Sequence, residues 1–182
     1  MTLALDTGWK QSPVENEHER TPVTKEQKSH LYVTWMGYYV TLECLAGKIR
    51  DSGWTFDHIL CIARGGMYAG DPLSRIFHKS LAVICTSSYR DNNGTQQNEL
   101  IVSKHIATTT DTLGPHVLLV DDLVDTGDTM DAVKRRLQED ENIKEIRTAV
   151  LWRKSGSKFN PDYYVDEIDK HTWIHQPFEI YE

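Results

Sequence analysis

The sequence predicts an α/β domain built on a parallel sheet, and three observations carry that expectation. Apolar runs of strand length alternate along the chain with segments whose apolar residues recur at helical spacing. One run, Val117-Leu118-Leu119-Val120, is apolar throughout, as suits a strand covered on both faces of its sheet. It passes through acids and a glycine turn straight into a helical pattern, and such junctions are where open parallel sheets hold their ligands.

At 182 residues, one domain with a substantial core is expected. Residues 1–30 are polar, with Pro13, Pro22 and a Glu15-Asn16-Glu17-His18-Glu19-Arg20 cluster, and read as an N-terminal extension to a domain over 31–182. If the extension packs down, Leu3 and Trp9 are its anchors. Thr34 suits a helix N-cap, and Tyr38, Leu42, Leu45 and Ile49 then mark one face of a first helix. Phe56 to Ala63 reads as a strand, Tyr68 to Phe77 as a helix and Leu81 to Ser87 as a strand. From Arg90 to about Lys104 the alternation stops in a polar stretch with Asp91-Asn92-Asn93-Gly94, and a loop of that length in a compact domain is usually functional. After the apolar run, Met130, Val133 and Leu137 place a helix from about Thr129. Strands at Arg147 to Trp152 and Tyr163 to Val165 follow, and right-handed crossovers would join the parallel strands.

The run His116 to Met130 is the richest in chemistry. A helix start offers N–H groups without helical partners and the positive end of a dipole, and both favour a phosphate. Gly127 admits an anion close to the backbone, and Thr126 and Thr129 add hydroxyl donors. The turn lacks the lysine and spacing of a nucleoside-triphosphate P-loop. Asp121 and Asp122 repel phosphate but suit ribose hydroxyls and a hard cation such as Mg2+. The combination describes a sugar phosphate. A solvated acidic loop is the plain alternative. A phosphoacceptor receiver domain is another, but its acid pair ends the first strand, whereas several elements precede this one. Arg64-Gly65-Gly66, again between strand and helix, forms a second candidate anion site, although an ordinary turn explains that tripeptide equally well on its own.

Composition removes other classes. Net charge is −7, from 20 basic and 27 acidic residues, with no basic run, so nucleic acid is not an expected partner. No apolar stretch approaches the ~20 residues of a membrane span. Cys44, Cys61 and Cys85 are odd in number and set among apolar residues, so they read as buried free thiols of a cytoplasmic protein.

The strand, acid pair and turn resemble the signature of type I phosphoribosyltransferases for 5-phosphoribosyl-1-pyrophosphate (PRPP). Tyr32-Val33-Thr34-Trp35, Ala63-Arg64-Gly65-Gly66, Thr86-Ser87-Ser88-Tyr89 and Thr172-Trp173-Ile174-His175-Gln176-Pro177 extend the likeness over roughly Tyr32 to Glu179, most closely to the bacterial xanthine-guanine branch. The resemblance implies a parallel sheet with helices on both faces, a flexible lid in the Arg90–Lys104 stretch and a small C-terminal hood over the base. It implies a Mg2+-dependent transferase working on PRPP and a purine base, and a homodimer or homotetramer. Asp121 and Asp122 would take the ribose hydroxyls, with Asp122 nearer the metal. Thr126, Gly127, Asp128 and Thr129 would cradle the 5′-phosphate, and Asp125 would manage the proton at purine N7 as the catalytic residue. Arg64 and Gly65 would hold pyrophosphate, on a loop whose Ala63–Arg64 peptide is cis. Lys154 would contact O6, Trp173 would stack on the ring and the Ile174 backbone would meet its Watson–Crick edge. Taken without the resemblance, Lys154 reads equally as solvated charge and Trp173 as a core aromatic.

This sequence departs from the family pattern at three places. Ser155-Gly156 stands where Pro-Ala is frequent, Asn98 where the bacterial enzyme carries an arginine, and His175 where an acid follows Trp-Ile. The last lies near the expected C2 substituent and leaves guanine, xanthine and hypoxanthine open. The other readings are a regulatory protein of this fold that binds PRPP or nucleotide with little catalysis, and an enzyme acting on another base. A PRPP sensor would not need Asp125, Lys154 and Trp173 together.

Overall fold

The computed structural model describes residues 29–88 and 100–181. The extension to residue 28 with Leu3 and Trp9, and residues 90–99 of the lid expected over Arg90–Lys104, Asn98 among them, lie outside the described residues. In chain order the elements are β1 (His30–Tyr32), α1 (Trp35–Asp51), β2 (His58–Ala63), α2 (Met67–Phe77), β3 (Ser80–Ser88) and β4 (Leu100–Ala107). Then come β5 (His116–Val120), β6 (Leu123–Val124), α3 (Asp128–Gln138), β7 (Glu145–Lys154), β8 (Tyr163–Ile168) and β9 (Trp173–His175), with a closing 3-10 turn at Glu179–Tyr181.

Local chemistry sets the helix starts. Thr34 caps α1, its hydroxyl accepting the Gly37 N–H at 3.1 Å. Tyr38, Leu42, Leu45 and Ile49 then share the buried face of that helix. Met130, Val133 and Leu137 do the same in α3, each contributing about 1.5–3 kcal/mol by burial.

The main sheet runs β4-β3-β2-β5-β7, with β8 also on β7 and with β6 following β5 along β7. All pairs are parallel except β3–β4. That exception corrects the reading of Arg90 to about Lys104 as loop throughout. The last third of that stretch, from Leu100, belongs to an antiparallel edge strand with no fully buried residue. Such a strand lacks the apolar run by which covered parallel strands are recognised.

The helices lie on both faces. Tyr38, Leu42, Leu73 and neighbouring residues of α1 and α2 pack against Ile59, Cys61, Leu118 and Val120. Met130, Val133 and Leu137 of α3 pack against the alternate residues Leu60, Ile62, Val117 and Leu119. β1 and β9 form a separate two-stranded parallel pair, Leu31 opposite Ile174. No helix among the described residues is long and apolar enough to cross a membrane.

The cysteines differ from expectation. Cys61 is buried, but Cys44 and Cys85 are exposed. Cys44 falls off the Leu42/Leu45/Ile49 stripe of α1, and Cys85 lies on the opposite side of β3 from buried Ile84. Burial pushes the Cys61 thiol up to about 12, which removes it as a nucleophile.

Candidate active site

β2 and β5 lie side by side, Cys61 opposite Val120, and the chain leaves their ends toward opposite faces, into α2 and α3. This is the topological switch point, where a crevice opens between two diverging loops. Arg64-Gly65-Gly66 leaves β2 and the acid pair leaves β5, so both sequence-predicted anion sites meet in this crevice.

The first loop carries a cis peptide between Ala63 and Arg64, the geometry the resemblance implies. Gly65 lies directly against the acid pair, since a Cβ there would stand 2.3 Å from Asp122 Oδ1. Arg64 and Gly65 line a cleft of about 360 Å³ together with Tyr68, Asp122, Phe178 and Glu179.

The acid pair is pinned by backbone. Asp121 Oδ1 accepts the Asp122 N–H at 2.9 Å, and the Asp122 carbonyl accepts from Leu151 and Trp152 of β7 at 3.0 and 3.2 Å. Asp122 also accepts a hydrogen bond from the Gln176 side chain. Burial foremost, and then the adjacent charge of Asp122, holds the Asp121 carboxyl well above the usual carboxylate range. Burial raises Asp122 as well. The buried Tyr38 phenol is likewise shifted upward, by burial and then by Asp122 and Asp121.

The shift at Asp121 has a consequence for stability. The fold keeps a proton at Asp121 at pH values where the unfolded chain has already lost it. Stability is therefore lost as pH rises from the ordinary carboxylate value of about 4 through the raised one. Asp121→Asn is expected to flatten that slope and to raise the melting temperature of the ligand-free protein at neutral pH. Melting curves from about pH 5 to about pH 8 in metal-free buffer check this. An unchanged slope would refute the assignment.

Beyond the pair, Gly127 adopts φ 97° and α3 starts at Asp128 with no side-chain cap. The opening N–H groups of the helix thus adjoin a cavity of about 110 Å³ lined by Asp125, Thr126, Gly127 and Thr129 among others. The Asp128 carboxylate accepts the Thr126 hydroxyl at 2.8 Å. A Cβ on Gly127 would lie 2.4 Å from Phe159 Cβ, so the 157–159 loop backs the turn closely.

On the far side of the crevice, Lys154 at the end of β7 meets Asp125. Its Nζ lies 3.1 Å from Asp125 Oδ2 and 6.0 Å from the Trp173 ring centroid. The lysine side chain is 9% exposed and that of Asp125 62%, so the lysine is fixed and the acid is reachable. Trp173 is 53% exposed, which excludes the core-aromatic reading. The Trp173 N–H bonds to Ser29 and the His175 carbonyl to Val33, so both face β1 and its flanks. By alternation, the Ile174 N–H and C=O point to the unpaired edge of β9 while its side chain is buried.

Of the residues singled out in the sequence, Arg64, Gly65, Asp121, Asp122, Asp125, Thr126, Gly127 and Thr129 line this crevice and Lys154 and Trp173 stand beside Asp125, while Asp128 and Ile174 adjoin them along the chain. Others were missed. Tyr68 stacks on Phe178 with ring centroids 4.1 Å apart. His175 stacks on Tyr32 at 4.3 Å, bonds His30 at 2.8 Å and lies 3.7 Å from Glu179. Gln176 was visible only as part of the Trp173–Pro177 motif, and Tyr68 had no signal beyond its place after Gly66.

Fold and site together define an α/β protein with two glycine loops of the kind suited to anions at a switch point, and a buried acid pair between them. A phosphoribosyl transferase domain model matches residues 34–182, and the chain belongs to the phosphoribosyltransferase family. A purine phosphoribosyltransferase from Pyrococcus horikoshii is 30% identical, with 82% of this chain and 93% of that one covered at a TM-score of 0.68. A Helicobacter pylori xanthine-guanine-hypoxanthine phosphoribosyltransferase is 26% identical, with coverage of 83% and 94% and a TM-score of 0.71. A hypoxanthine phosphoribosyltransferase from Trypanosoma cruzi, 22% identical over 81% of this chain and 82% of that one at a TM-score of 0.58, shares the fold.

Proposed function

We propose that the protein transfers the 5-phosphoribosyl group of PRPP to a 6-oxopurine, yielding the nucleoside monophosphate and pyrophosphate in purine salvage. The observation that carries this reading is the grouping of Lys154, Asp125 and Trp173 at the end of the crevice. A purine laid on Trp173 would present its neighbouring O6 and N7 to a lysine and a carboxylate that already stand 3.1 Å apart. A lysine donates only, so a carbonyl at C6 is accepted and an amino group is not.

In the reaction, the N9–C1′ bond forms as the C1′–O bond to pyrophosphate breaks, and the N7 proton passes to Asp125. Asp121 and Asp122 hold the ribose hydroxyls, the Thr126–Thr129 turn holds the 5′-phosphate, and Arg64 and Gly65 receive pyrophosphate. Fixing all three parts of the reactants in one crevice supplies most of the rate.

The residues present fit Mg2+. Asp122, which lines the cleft with Arg64 and Gly65, offers hard oxygen donors, with Asp121 beside it. Among the described residues no cage of three or more metal-binding side chains exists, so substrate oxygens and water would complete the coordination. When bound, the ion neutralises charge on the departing pyrophosphate.

A homodimer or homotetramer is part of the proposal. It is supported by the exposed apolar residues Trp35, Met36, Tyr39 and Val40 on α1, beside Met67 and Tyr68 of α2. Sedimentation equilibrium tests it. The free thiols support a cytoplasmic location.

The deciding experiment is a steady-state assay with PRPP, Mg2+ and each of guanine, xanthine, hypoxanthine and adenine. Turnover with at least one oxopurine and none with adenine is expected. No turnover with any oxopurine would overturn the enzyme reading.

A further inference from the structure

We propose that Gln176 is a positioning residue that fixes the Asp122 carboxylate for the ribose hydroxyls; the proposal rests on the PRPP-dependent reading above. Gln176 follows β9 directly, and only 5% of it is exposed. Its Nε2 donates to Asp122 Oδ2, while Gly65 crowds the other oxygen, Oδ1, from the opposite loop. The carboxylate is thus held between the hood and the pyrophosphate loop, with its remaining lone pairs available to the cleft that Asp122 lines. The amide turns its NH2 group toward the carboxylate, so glutamine is the donor and Asp122 Oδ2 the acceptor.

That orientation has a cost which packing alone does not explain. The other arm of the amide, Oε1, is buried with no hydrogen-bond partner among the described residues. A buried carbonyl without a donor destabilises a fold, and an unbranched apolar side chain of similar length would avoid the penalty. What glutamine adds is a neutral donor. It directs the carboxylate without neutralising it, whereas an arginine would compete with the cation for its charge. Because Gln176 continues the strand that carries Trp173 and Ile174, it ties the ribose acid to the base-binding hood.

The test uses Gln176→Met in the full chain and two probes without metal, GMP and its 2′,3′-dideoxy counterpart, with affinities measured by titration calorimetry. The wild type is expected to favour GMP. Gln176→Met is expected to weaken GMP roughly tenfold, leave the dideoxy nucleotide unchanged, and melt at the same temperature or higher. In an Asp122→Ala background the Gln176 substitution is expected to have no further effect on the GMP preference. Gln176→Leu is a second variant should methionine not be tolerated. If the variant weakens both nucleotides equally, or keeps the wild-type preference, the inference is overturned and the enzyme reading stands. If the wild type itself does not distinguish the probes, the ribose assignment of the acid pair fails and the inference with it.

Discussion

Asp125→Asn is expected to lower kcat by roughly 10²–10⁴-fold while PRPP binding largely survives. The carboxylate stands 3.1 Å from Lys154 Nζ, and its side chain is 62% exposed to the crevice. Asparagine keeps an oxygen that accepts from the lysine, so the arrangement around Trp173 survives. What it loses is the capacity to take a proton from the base as the glycosidic bond forms. The Thr126–Thr129 turn and the acid pair, proposed to hold the 5′-phosphate and the ribose, are separate groups that the substitution leaves in place. Steady-state turnover compared with an equilibrium titration of PRPP checks the split. Equal loss of both would show that Asp125 shapes the turn instead of serving the chemistry. Because the residue is exposed, the melting temperature should change little.

The largest expected effect on stability comes from Gly66→Ala. A Cβ at Gly66 would stand 2.5 Å from the Val120 carbonyl, 2.7 Å from the Ile62 carbonyl and 3.0 Å from Asp121 Cα. All three contacts are backbone, and Val120 and Ile62 belong to the central paired strands β2 and β5, so no side chain can swing aside. Relief requires the two strand ends to part at the point where the crevice is built. A cost of about 3 kcal/mol or more follows, which in a domain of this size lowers the melting temperature by roughly 6–12 °C. Scanning calorimetry measures it. The anion loop and the acid pair would separate as well, so activity should fall even in the fraction that stays folded. A variant that melts within a degree or so of the wild type would mean that the loop is not packed as described.

What could be read from the residues alone was what local pattern encodes. Val117 to Val120 had to be a covered strand, Met130, Val133 and Leu137 had to be one helix face, and the acids between them had to lie at a strand end. The Thr34 cap was legible for the same reason. The meeting of Asp125 with Lys154 was not, because it depends on β7 ending beside the signature turn; the resemblance, not the spacing, pointed to that lysine. The pairing of β1 with β9 left no trace in the residues, since a strand of three has no periodicity to detect. The exposed thiols at Cys44 and Cys85 show the limit from the other side. Apolar neighbours in sequence say little about which face a residue occupies, and one step along a helix is enough to turn a side chain outward.

The hood joins the first described strand to the last. Ser29 bonds to Thr172 across 143 positions, and among the described residues β1 pairs only with β9. As the chain emerges during synthesis, the switch-point loops and the α3 turn are all present well before Trp173 exists. On the proposed function, such a nascent chain already carries the groups for phosphates and ribose, but the surface for the base closes only when β1 and β9 find each other. Under that proposal, discrimination among purines is the last property the molecule acquires, and the one most exposed to anything that slows a long-range closure.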